Sequence, residues 1–100
     1  MTEVVPLKLT APVALNKIRT LAAKSENIVV IPHAKRRQTE RSVTRGQIEA
    51  CLLKGTIQEG PFYNDKGNWQ VTMYRHAVGE EVTCVVAIDW PSRLIVVTVY

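Results

Sequence analysis

The chain has 100 residues, 46% of them hydrophobic and 22% charged, with a formal net charge of +4 and a pI near 9.3. That size suits one domain, taken as residues 1–100, with a modest core and the balance of a soluble globular protein. No window approaches the ~18 uninterrupted apolar residues of a membrane span, and the opening M-T-E-V-V-P-L-K-L-T has no signal-peptide run, so a cytoplasmic protein with no membrane partner is expected.

Residues 1–9 are apolar at Val4, Val5, Leu7 and Leu9, with Pro6 interrupting, which predicts an extended lead-in or at most an edge strand. Thr10 is a plausible N-cap and Pro12 is tolerated in a first helical turn. Val13, Ile18, Leu21 and Ala22 then give a helical stripe to about Lys24. Ile28–Ile31 reads as a short apolar strand that Pro32 stops. A basic stretch follows from His33 to Arg45. Val43, Thr44, Gln47 and Ile48 fill the N′, N-cap, N3 and N4 positions of a second well-marked helix, a capping box with a hydrophobic staple. Gly55 is expected as its left-handed C′ residue.

After Gly55 the pattern turns to strands: a short one over Thr56–Glu59, a turn cluster over Asn64–Asn68, then Trp69–Val78, Glu81–Trp90 and Arg93–Tyr100. Two-residue connections, Gly79-Glu80 and Pro91-Ser92, predict an antiparallel meander. Helices first and a sheet afterwards make an α+β domain, with two or three N-terminal helices packed on a C-terminal antiparallel sheet.

The basic stretch, H-A-K-R-R-Q-T-E-R-S-V-T-R, holds five of the thirteen Lys and Arg residues (Lys35, Arg36, Arg37, Arg41, Arg45) and one acid, Glu40. Its local excess of +4 equals the charge of the whole chain, an electrostatic footprint for phosphate and hence for nucleic acid. In a helix, His33, Arg37 and Arg41 recur every four residues along one face. A solvated basic helix without a ligand gives the same pattern.

The turns also predict a register. Pairing Val78 with Glu81 sets His76 against Thr83 and Tyr74 against Val85; pairing Trp90 with Arg93 sets Thr83 against Tyr100 and Val85 against Thr98. Alternation then collects Trp69, Val71, Met73, Val82, Cys84, Val86, Ile88, Ile95, Val97 and Val99 on a core face. The other face carries Gln70, Thr72, Tyr74, His76, Thr83, Asp89, Thr98 and Tyr100, with Val85, Ala87 and Val96 between them. A histidine and two tyrosines grouped on an open sheet suit acid/base chemistry and base stacking, although Thr and Tyr also favour exposed strands by propensity alone. Cys51 and Cys84 sit in apolar patterns and are expected as buried free thiols. Neither zinc spacing nor a phosphate loop is present, and no metal or cofactor is expected.

H-A-K-R-R followed by Arg41, then L-L-K-G-T-I-Q-E, C-V-V-A-I-D and I-V-V-T-V-Y, resembles domain-of-unknown-function family 4258. That pattern runs H-A-x-x-R, L-x-x-G-x-I, a V-V-x-A-x-D strand and a closing V-T-x-Y strand. The resemblance spans roughly residues 28–100, leaving the first helix, about 10–25, as an extension. The family is similar in layout to RelE-like and barnase-like ribonuclease toxins. The resemblance therefore implies a metal-independent ribonuclease, commonly the toxin half of a toxin–antitoxin pair, with His33, Arg37, Arg41, Thr98 and Tyr100 at the matching positions.

The function expected is thus RNA cleavage through His33, Arg37, Arg41, His76 and Tyr100, with Lys35, Arg36, Arg45, Tyr74, Thr83 and Thr98 contacting RNA. A base must take the 2′-OH proton, an acid must serve the leaving oxygen, and cations must hold the phosphate. His33 and His76 suit the proton transfers near neutral pH, and the arginine forks match phosphate oxygens. A small antitoxin or another protein partner is expected beside RNA. The alternative is a non-catalytic nucleic-acid or protein-binding module of the same fold, such as a phage or mobile-element accessory protein.

Overall fold

A computed structural model describes residues 8–100; the lead-in expected over residues 1–9 lies outside them except for its last two residues. The elements are α1 (Ala11–Ala22), a 3-10 turn (Ser25–Asn27), β1 (Ile28–Val30), α2 (Pro32–Glu40), α3 (Arg45–Lys54), β2 (Thr56–Tyr63), β3 (Trp69–Ala77), β4 (Glu80–Asp89) and β5 (Arg93–Val99). Helices precede the sheet, as the α+β pattern predicts. The strand order is β1-β5-β4-β3-β2. β1 pairs with β5 in parallel and the remaining pairs are antiparallel. The sheet is therefore mixed, because the short Ile28–Val30 strand adds itself to the free side of β5.

Local sequence chemistry explains the helices. Thr10 occupies the N-cap of α1, although its hydroxyl makes no capping bond, and a proline lies in the first turn. At α3 the Gln47 amide N–H donates to the Thr44 hydroxyl at 3.1 Å and the Thr44 N–H donates to Gln47 Oε1 at 2.7 Å. Two otherwise unpaired donors are thereby satisfied reciprocally. Gly55 departs from expectation: its backbone is extended, with φ −79° and ψ −175°. Glycine is required there by close approach, since a Cβ would lie 2.4 Å from the Cys51 carbonyl oxygen and 2.6 Å from that of Tyr74.

Ile18 of α1 and Ile48, Cys51 and Leu52 of α3 are buried in one cluster with Val71, Met73, Cys84, Val86 and Ile88 of the sheet. Cys51 and Cys84 are free thiols whose sulfurs lie 3.9 Å apart. The Cys84 thiol is pushed well above its ordinary range, first by its hydrogen bond to Cys51 and then by burial.

Both hairpins correct the expected register. Between β3 and β4 the loop is Val78-Gly79, so Ala77 pairs with Glu80, His76 with Glu81, Tyr74 with Thr83 and Thr72 with Val85. Gly79 takes φ +79° in that loop, a conformation glycine adopts without steric cost. The slip is two residues, so every side chain keeps its face but changes its neighbour. Between β4 and β5, Val85 does face Thr98, and the Tyr100 N–H donates to the Thr83 carbonyl at 2.9 Å. A bulge then shifts the ladder, pairing Val86 with Val96 and Ile88 with Leu94. Leu94 and Val96 therefore enter the core. Ile95 and Val97, expected in the core, instead line the open side.

Candidate nucleic-acid interface

The position of α2 follows from where β1 stops. β1 pairs with β5 only through Leu94, Ile95 and Val96. Pro32 fits the first helical turn and ends the pairing. The chain continues as a helix beside the unpaired end of β5. Ala34 anchors this helix in the core with no exposure. The Arg37 Nε–H donates to the Val99 carbonyl at 3.3 Å, covering part of the open strand edge.

α2 therefore straddles the edge of the sheet instead of lying over one face. His33 reaches the open face, where its Nε2 and the Thr98 hydroxyl lie 3.4 Å apart. The hydroxyl donates when that nitrogen carries no proton and accepts when it does. Arg36 and Arg37 are the helix-surface neighbours of His33, three and four residues on. Lys35, Arg36 and Arg41 are exposed, and Arg41 caps the end of α2. Arg37 also meets Glu40 at 3.7 Å.

The five cations of the basic stretch thus divide by role. Arg45 is committed to the fold: its guanidinium donates to the Ser25 and Ile28 carbonyls at 2.9 Å each and pairs with Glu49 at 2.9 Å. It clasps the start of β1 to α3.

On the open face one cross-strand row reads Thr98, Val85, Thr72 and the next reads Tyr100, Thr83, Tyr74. His33 joins the first row through Thr98, and Tyr100 follows two residues along the same strand. His76 does not join them. Its pairing with Glu81 puts it two strands and two rows from Thr98, on the order of 15 Å by ordinary sheet spacing. The expected row of His76, Thr83 and Tyr100 is replaced by Tyr74, Thr83 and Tyr100. Tyr74 in turn donates its phenolic proton to Glu81 Oε1 at 2.8 Å. That hydrogen bond, foremost, raises the Tyr74 pKa above its ordinary value of 10.0.

The family model for a domain of unknown function (DUF4258) matches residues 30–100. The chain belongs to that family. No curated protein and no solved structure matches it. The DUF4258 segment begins at Val30 and takes in α2 and β2–β5, hence His33, Arg37, Arg41, Thr98 and Tyr100 together, while α1 stands before it. Among the described residues, no three or more His, Cys, Asp or Glu side chains are grouped to hold a metal ion, and no helix is long and apolar enough to cross a membrane.

Proposed function

We propose that the protein binds single-stranded RNA along α2 and the exposed end of β5, and cleaves it with His33 as the proton-transfer group. The observation that carries this reading is the contact between His33 and Thr98, which joins the basic helix to the open sheet face. In the reaction, neutral His33 takes the proton of a ribose 2′-OH and the 2′-oxygen attacks the adjacent phosphorus. The bond to the 5′-oxygen breaks, leaving a 2′,3′-cyclic phosphate. Arg36 and Arg41 supply charge to the crowded phosphate, the Thr98 hydroxyl fixes the imidazole, and Tyr100 stands nearest among the open-face groups that could protonate the leaving oxygen. Such an activity fits a cytoplasmic toxin of RelE-like or barnase-like type restrained by a small antitoxin.

The distance of His76 favours a second reading, in which the same surface binds RNA without cutting it. The first measurement tests the RNA binding that both readings share, and the second separates them. Anisotropy titrations with a short RNA across salt should give a steep dependence, and Arg36→Ala with Arg41→Ala should flatten the slope by roughly 0.7 for each phosphate that is no longer neutralised. Unchanged affinity and slope in that double variant would overturn RNA binding by α2. Incubation of RNA with a chelator present should yield cyclic-phosphate ends, slowed ~10²–10⁴-fold by His33→Ala. Tight binding with intact RNA would decide for the binding module.

A further inference from the structure

Next to the His33–Thr98 pair the open face holds a cleft of about 290 Å³, at the small end of the roughly 300–1,000 Å³ range of ligand sites. Its floor is one cross-strand row, Gln70, Ala87 and Ile95, with the bulged Val97 beside it. Asn68 and other residues of the β2–β3 turn line it as well. This turn is held in place from within: Asn64 accepts the Lys66 and Asn68 N–H groups at 3.0 and 2.9 Å and donates to Gln70 Oε1 at 3.1 Å. The cleft is therefore formed before any ligand arrives.

We infer that this cleft is a nucleobase subsite, which rests on the RNA reading and adds to it a pocket for the base beside the bound phosphate. Aliphatic side chains offer a flat apolar floor, while Asn68 and Gln70 are half-buried amides that both donate and accept. An apolar surface bordered by amides is complementary to a planar ring whose faces are apolar and whose edge is polar. Charge points the same way. Asp65 and Lys66 at the rim cancel, so the cleft lacks the cationic excess that would select a phosphate or a carboxylate. Position completes the argument, because the floor row is one row from Thr98, roughly 7 Å along the strands. That is about the span of one ribose. Ile31 and Val97 line the cleft, and the chain runs from them directly to Pro32-His33 and to Thr98.

The test titrates the full chain with the four nucleoside 3′-monophosphates and with inorganic phosphate, followed by nitrogen–proton correlation spectra. At least one nucleotide should shift the Asn68 and Gln70 side-chain amides and the backbone from Ile95 to Thr98, while inorganic phosphate shifts only α2. The favoured base should bind roughly ten-fold more weakly to Gln70→Ala or Asn68→Ala, as expected when an amide reading a base edge is removed, with the α2 shifts retained. Nucleotide shifts confined to α2 would overturn the subsite and leave the phosphate-binding reading standing. Absence of any nucleotide-induced shift in the cleft overturns the subsite as well, and RNA binding is then judged by its own salt slope.

Discussion

The two sides of the sheet are built from the same strands and do different work. The covered side meets α1 and α3 through residues such as Ile18, Ile48, Leu52, Met73 and Val86, all with negligible exposure. No described polar or charged residue is buried. The open side presents threonines, tyrosines, amides and a cleft, and α2 brings the positive charge to its margin. Ala34 and His33, adjacent in sequence, fall on the two sides of that division: one is sealed in the core and the other touches Thr98. The turn of a helix thus sets a sealed core residue and an open-face residue a single step apart.

The contrast is broken most strongly from the covered side. Leu52→Ala should destabilise the fold by ~2–5 kcal/mol, the transfer free energy of a buried leucine plus the cavity it leaves. Urea unfolding checks this, and binding of RNA per folded molecule should be unaltered. A cost below about 0.5 kcal/mol would mean that α3 does not seal that face as described.

A smaller effect sharpens the division within the basic stretch itself. Arg45→Met should cost roughly 1–3 kcal/mol, because the Ser25 and Ile28 carbonyls and Glu49 are left without a charged donor. Arg36→Ala, on an exposed site, should stay within about ±0.5 kcal/mol and lower RNA affinity instead. Paired denaturation and binding curves read both quantities, and equal stability of the two variants would show that Arg45 is not the clasp between β1 and α3.

Sequence makes these roles legible unevenly, for physical reasons. The capping box at Thr44 is local chemistry and appears where expected, with Val43 packed against the core that holds Ile48. So does the helical basic stretch. Charge counting, however, cannot separate Arg45 from Arg41, since the Ser25 and Ile28 carbonyls that engage Arg45 are distant in sequence. The β3–β4 loop is ambiguous because Gly79 fits either position of a two-residue turn, and only its placement decides whether His76 or Tyr74 faces Thr83. The bulge near Val97 leaves no mark: Leu94, Ile95, Val96 and Val97 are all aliphatic, so no polar residue shows which face each takes. The parallel β1 carries no turn signal tying it to β5. Asn64, Asn68 and Gln70 read only as turn and strand residues; their convergence on one cleft depends on how the turn sits against the sheet.

The smallest predicted effect lies on the open side, in the titration of Tyr74. Its phenol donates to Glu81 across the β3–β4 pair, and that hydrogen bond, with minor help from desolvation and the carboxylate charge, holds its pKa above 10.0. A pKa raised in the folded state means that the folded protein retains the proton more tightly than the unfolded chain. The associated stabilisation is therefore complete at neutral pH, begins to fade as pH rises past about 10, the ordinary tyrosine value, and is gone above the raised folded value. Following the Tyr74 ring carbon by NMR should show it titrating later than the tyrosine of an unfolded peptide. Glu81→Gln should move it back toward the ordinary value and remove that pH-dependent contribution. At the same time it removes a carboxylate bonded to Tyr74 and one row beyond Thr83 and Tyr100, so RNA affinity should rise modestly at low salt and less at high salt. If Tyr74 titrates at or below the ordinary value, its hydroxyl is free of Glu81. The aromatic ring would then be available to RNA in a geometry different from the one described.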